Sequence, residues 1–94
     1  MDRQVIQAIK QRLNIAELVR RYVPLRPAGG RLMGLCPFHQ EKTASFSVNE
    51  AEGFFYCFGC QAGGDVLDFY QRVNGLEFKD ALDHLAQEAG VALK

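Results

Sequence analysis

Two tetrapeptides decide most of what this chain can fold into: Cys36-Pro37-Phe38-His39 and, after the seventeen residues Gln40 to Tyr56, Cys57-Phe58-Gly59-Cys60. In each, two metal-ligating side chains are separated by two residues, a spacing that lets one tight turn aim both at a single ion. The stretch between them has to travel out and return, which a two-stranded hairpin does in about this length. A lone C-x-x-C is a weak signal. Two pairs that together use every cysteine in the chain are a strong one, and Cys36, His39, Cys57 and Cys60 form the donor set of a closed, tetrahedral zinc site.

Ninety-four residues allow one domain, so residues 1–94 are expected to be a single zinc-binding unit. A core of that size is modest, and one structural zinc ion, contributing on the order of 10 kcal/mol, would matter to it. Three cysteines exclude a complete disulfide framework and suit a reducing compartment, which makes the expected localisation cytoplasmic. Met1 leads directly into Asp2 and Arg3, and no run approaches the roughly 18 apolar residues of a membrane span; no membrane partner is expected. The net charge is zero, but eight basic residues face three acids up to Lys42, and three face eight from Thr43 onward. Such asymmetry suggests a basic and an acidic face, or simply solvated helix surfaces.

Along the chain, Val5, Ile6, Ile9 and Leu13 recur at helical spacing, and Ile15, Leu18, Val19 and Tyr22 repeat the pattern after Asn14. N-terminal helices are therefore expected over 3–22. Asn14 with Glu17 has the form of a capping box, Pro24 should end the second helix, and Arg20 and Arg21 suit its C-terminal dipole. Pro27 to Gly30 read as a turn. Strands follow over Arg31 to Leu35, Ser45 to Val48 and Gly53 to Tyr56, a ribbon sheet over 31–60, with Glu50 and Glu52 on a solvated tip. Gln61 to Gly64 read as a glycine hinge leading to an N-cap at Asp65. Val66, Phe69, Tyr70 and Val73 predict one helix ended by Asn74-Gly75; Phe78, Ala81, Leu82, Leu85, Ala86 and Ala89 predict another stopped by Gly90. These C-terminal helices fill 65–90, and His84 lies off their apolar stripe. The fold class is α+β: a zinc ribbon whose small antiparallel β-sheet is flanked by N-terminal and C-terminal helices.

Four protein donors leave zinc no open position, so a structural rather than catalytic ion is expected, with no catalytic residue in the chain. One rival enzyme reading sets His39-Gln40-Glu41 against the H-x-E of zinc deaminases. Cys36 as a fourth donor, Tyr56 where those enzymes carry proline, and the short chain weigh against it. Redox chemistry at Cys57 and Cys60 is disfavoured because no βαβ pattern surrounds them. Function then falls to the surface that the ion stiffens. Alternation puts Phe54 and Tyr56 on one face of a strand and Phe55 on the other, while Phe38 and Phe46 suit the core. Exposed rings beside cations are what single-stranded nucleic acid binds, bases stacking and phosphates pairing. Tyr56 and Phe58, with Arg31 and Lys42 flanking the first donor pair, are the candidate nucleic-acid contacts; a protein-docking module is the alternative.

The residues Leu35-Cys36-Pro37-Phe38-His39, Glu41-Lys42-Thr43, Ser45-Phe46-Ser47-Val48, Tyr56-Cys57-Phe58-Gly59-Cys60 and Gly63-Gly64-Asp65 closely resemble the N-terminal zinc-binding domain of the bacterial DNA primases. The helical entry with Ile15-Ala16-Glu17-Leu18-Val19 and the closing helix from Phe78 to Ala89 match as well. The resemblance implies a zinc ribbon that recognises single-stranded template DNA. It also implies a separate polymerase domain of the toprim type, holding magnesium and acting in cis or in trans to make RNA primers, and a replicative helicase as partner of the parent protein. Cys36, His39, Cys57 and Cys60 match the family's zinc ligands, and Lys42 matches a DNA-contacting lysine. The chain departs from the pattern at Ala44, where proline is common, at Gln61, where glycine is frequent, and at Gly30 and Leu32. Acids in the turn at Asn49 to Gly53 stand where the family often has lysine.

Overall fold

Asn14 divides the N-terminal apolar stripe into two helices, α1 (Arg3–Arg12) and α2 (Ile15–Arg20). The protein is seen here as a computed structural model, which describes residues 3–39 and 43–91. Asn14 Oδ1 accepts the Ala16 and Glu17 backbone N–H groups at 2.8 and 3.2 Å, satisfying two of the donors that a helix start leaves open. Its amide donates to Glu50 Oε2 at 2.9 Å, so one side chain both caps α2 and holds the tip of a distant turn. Glu50 is thus a contact rather than a purely solvated residue. α2 stops short of Tyr22: Arg21 is its C-cap, and Val23 N–H closes a last turn on the Val19 carbonyl at 2.8 Å before Pro24. Arg21 does more than complement the helix dipole, since its guanidinium pairs with the Glu88 carboxylate.

A five-stranded antiparallel sheet follows in the simple order β1 (Arg26–Ala28), β2 (Arg31–Gly34), β3 (Phe46–Asn49), β4 (Phe54–Cys57) and β5 (Gly63–Gly64). It therefore extends beyond the expected 31–60 at both ends. Pro27 and Ala28, expected as part of the turn, instead belong with Arg26 to a strand that pairs with β2, because only Gly29 and Gly30 turn; their φ values of 56° and 83° make a two-residue hairpin. Pro27 lacks a donor N–H and is tolerated because β1 is an edge strand. The supposed hinge at Gly63 and Gly64 pairs with Tyr56 and Phe55 as the opposite edge, invisible beforehand because glycine carries no side chain to alternate. Of the three expected strands, the first ends one residue earlier, at Gly34, and the other two are each shifted by one residue, to Phe46–Asn49 and Phe54–Cys57.

Strand register sorts the side chains. Leu32, Val48 and Phe55 form one row of the inner face, and Gly34, Phe46 and Cys57 the next. Phe46, Val48 and Phe55 are buried together with Ile9, Ile15, Val19 and Leu85. Phe69, on α3 (Val66–Asn74), is the hub, its ring centroid lying 5.6 to 5.9 Å from those of Phe55, Phe38, Tyr22 and Phe46. α4 (Phe78–Ala89) closes the core with Ala81, Leu85 and Ala86. α3 starts at a complete capping box: Asp65 Oδ1 accepts from Leu67 and Asp68 N–H, and Asp68 Oδ2 accepts from Asp65 N–H at 3.0 Å. Lys10 Nζ on α1 reaches the same Asp65 carboxylate at 3.0 Å. Among the described residues no helix is long and apolar enough to cross a membrane.

Candidate metal centre and nucleic-acid face

The register that buries Phe46 also assembles the cysteines. Gly34 and Cys57 flank Phe46 in one row, so β2 and β4 end level with each other on either side of β3. Two residues past Gly34 the chain turns through Cys36 to His39. Cys57 closes β4 and opens the second turn, in which Gln61 N–H donates to the Cys57 carbonyl at 2.7 Å and Cys57 N–H to the Ala62 carbonyl at 2.8 Å. One ligand atom from each of Cys36, His39, Cys57 and Cys60 lies within 4.8 Å of all the others. Cys36 Sγ is 3.8 Å from Cys60 Sγ, and His39 Nε2 is 3.3 Å from Cys57 Sγ.

Those spacings discriminate between ligands. A tetrahedral zinc with bonds of about 2.3 Å to sulfur and 2.0–2.1 Å to nitrogen needs S···S edges of about 3.8 Å and S···N edges of about 3.6 Å. A disulfide would bring two sulfurs to about 2.05 Å, and all three cysteines are free. Electrostatics agree. Burial pushes the Cys36 thiol up to about 12. Burial would raise Cys57 too, but the Ser45 hydroxyl, the Cys60 and Gly59 N–H groups and the His39 ring outweigh it and bring Cys57 down to about 6. Zinc takes cysteine as the thiolate, so metal binding at these donors is coupled to loss of their protons. The residues fit zinc.

The second turn needs a glycine for space rather than for an unusual backbone angle. A Cβ on Gly59 would lie 2.9 Å from Ser45 Oγ and 3.0 Å from His39 Cε1 and Nε2. The left-handed residue of this turn is Gln61, at φ 65°.

On the outer face, pairing aligns Arg26, Met33, Ser47, Tyr56 and Gly63 in one row across all five strands. Phe54, Tyr56 and Phe58 follow one another at every second position along β4 and just beyond, 50%, 41% and 59% exposed. The Tyr56 and Phe58 rings meet edge to face at 5.1 Å. Arg31 is exposed on the same face as Met33, and Arg26 is exposed opposite Met33. A ridge of rings thus faces two arginines across β3, where Ser47 is small and buried. Of the expected nucleic-acid contacts, Arg31, Tyr56 and Phe58 share this face, and Lys42 lies outside the described residues. Arg26 and Phe54 were not among the candidates. No signal marked Arg26, because only the pairing of β1 gives it a face. His84 is away from the metal cluster, its Nδ1 3.2 Å from Tyr70 Oη. Phe38 is half-buried against Phe46, Phe55 and Phe69, with the Arg72 guanidinium 5.5 Å from its ring centroid.

Two turns carrying three cysteines and a histidine, one after β2 and one after β4 on either side of β3 in an antiparallel sheet, define a zinc ribbon. The chain belongs to the CHC2 zinc finger family, whose profile matches residues 1–94. It is 46% identical over 93 residues to the DNA primase of Lactococcus lactis, covering 99% of this chain and 15% of that protein. To the DNA primase of Deinococcus radiodurans it is 54% identical over 77 residues, or 81% of this chain and 14% of that one. Among solved structures it is similar to the Aquifex aeolicus primase crystal structure of the zinc-binding and RNA polymerase domains, with a TM-score of 0.89, 30% identity, and coverage of 96% of this chain and 22% of that chain. The chain spans about 15% of the length of the curated relatives it matches.

Proposed function

We propose that this chain is the template-recognition domain of a bacterial DNA primase. Its zinc is structural, and single-stranded DNA lies along the outer face of the sheet. Family membership and the primase relatives support the parent activity. The observation that carries the DNA reading is the exposed ridge Phe54, Tyr56 and Phe58 facing Arg26 and Arg31 across β3, whose central outward residue is Ser47. Rings offer stacking surfaces that any base can use, and arginines attract the phosphates. When bound, the zinc ties the ends of β2 and β4 together and so holds Phe58 in line with β4. The chain supplies no catalytic residue. Primer synthesis belongs to a separate polymerase domain with its magnesium, acting in cis or in trans, and the replicative helicase is a partner of the parent protein. The setting is the replication fork in the bacterial cytoplasm.

The test is titration of a fluorescently labelled single-stranded oligonucleotide with the zinc-loaded chain at two salt concentrations. Binding should weaken steeply with salt. Tyr56→Ala and Phe58→Ala should each weaken it by roughly tenfold at stacking energies of about 1–3 kcal/mol per base, with zinc content unchanged. Equal affinity in both variants and the parent would remove the outer face from DNA binding. One observation favours the protein-docking alternative: a mostly apolar groove of about 500 Å³ lined by Pro24, Leu25, Arg26, Met33, Gly34, Leu35 and Ala44. That reading predicts no oligonucleotide affinity at either salt concentration.

A further inference from the structure

Ser45 immediately precedes β3 and belongs to neither donor pair, yet it contacts the metal centre. Its Oγ lies 3.5 Å from Cys57 Sγ. Its carbonyl accepts the Phe58 N–H at 2.9 Å, which fixes its main chain against the second turn. The missing side chain of Gly59 leaves the hydroxyl its place, since a Cβ there would fall 2.9 Å from Ser45 Oγ. Cys57 is fully buried, so no bulk water can replace that contact. We propose that Ser45 is a positioning residue of the zinc site, its hydroxyl donating a hydrogen bond to the metal-bound sulfur of Cys57. A coordinated thiolate has no hydrogen to give, so the direction of the bond is set: Ser45 donates and sulfur accepts. The bond draws electron density from the sulfur and holds its lone pair off competing protons and electrophiles, as outer-sphere partners do for other metal ligands.

This inference rests on the zinc reading of the four donors, and the test separates the two. The full chain, Ser45→Ala and Ser45→Thr are compared by zinc content, by zinc competition with a chromophoric chelator, and by the thiolate-to-metal charge-transfer band after cobalt substitution. Ser45→Ala should bind zinc about tenfold more weakly, and its cobalt band should move to longer wavelength because an unbonded thiolate is the better electron donor. Ser45→Thr, which keeps the hydroxyl, should restore both. A residue needed only for its shape would leave the band in place. A parent chain without stoichiometric zinc overturns the site and Ser45 together. A zinc-loaded parent whose alanine variant matches it in affinity and band overturns Ser45 alone. If Ser45→Ala does not fold, Ser45→Thr decides: a wild-type band supports the hydrogen bond, and a shifted one overturns it.

Discussion

Gly63 lies beneath the ring of Tyr56: the two are cross-strand partners, and a Cβ built on Gly63 would fall 3.0 Å from Tyr56 Cδ1. The glycine lets the ring settle over the edge strand while Tyr56 stays 41% exposed. Gly63→Ala should tilt Tyr56 out of the ridge and weaken oligonucleotide binding several-fold. Zinc content should not change, because neither residue is a donor. Anisotropy titration alongside metal analysis checks this, and an unaltered affinity would separate Tyr56 from the binding face.

The zinc donors join the ends of β2 and β4, and β3 between them contributes Phe46 and Val48 to the core. Removing the ion should therefore unfold far more than the two turns. With zinc contributing on the order of 10 kcal/mol in small metal-stabilised domains, either excess chelator or Cys57→Ala should abolish the cooperative thermal transition seen by far-UV circular dichroism. A variant that keeps its melting temperature after losing its metal would contradict a structural role.

Gln61 occupies a left-handed backbone position at φ 65° inside the second turn. A side chain there is strained by about 1–2 kcal/mol, an energy partly offset by the extra freedom glycine has in the unfolded chain. Gln61→Gly should stabilise the zinc-loaded protein by up to about 1 kcal/mol, raising its melting temperature by a few degrees. A fall in melting temperature would mean that the Gln61 side chain makes a contact worth more than the strain.

Asp65 caps α3 and receives Lys10 from α1. Burial alone would raise its carboxyl. The Asp68 N–H, the Lys10 ammonium and the Asp68 side chain outweigh burial and hold it below the ordinary carboxylate range. A lowered folded value means stability that is present above the ordinary range and lost as pH falls through the lowered one. Asp65→Asn keeps an accepting oxygen for the cap and removes only the charge, so at neutral pH it should cost no more than about 1 kcal/mol. The gap between parent and variant should close on acidification. Acid-driven zinc loss is common to both and cancels in the comparison. Thermal melts from pH 7 down to pH 3 measure that gap, and one that widens in acid would reverse the sign assigned to Asp65.

Much of the candidate site was legible before any coordinates. Cys36, His39, Cys57 and Cys60 announced themselves because ligand spacing is a local property: each turn must place two donors without help from the rest of the chain. The helices were legible for the same reason, their apolar stripes being written at intervals of three and four residues. Even the caps at Asn14 and Asp65 follow from contacts within three positions.

Arg26, Ser45 and Gly63 were not legible, and they share a cause. Arg26 acquires a face only when β1 pairs with β2, Gly63 a role only when β5 pairs with β4, and Ser45 a contact with the Cys57 sulfur only when β3 lies beside β4. Those relationships depend on which residues sit opposite one another across strands that are distant in the chain. Amino-acid order alone thus determined the donors, the helices and the ribbon class, because local spacing and periodicity suffice for each. The aromatic and arginine face of the sheet and the contact of Ser45 with Cys57 were decided by the tertiary structure, because strand register is settled by burial of Phe46, Val48 and Phe55 as a group and not by any one segment.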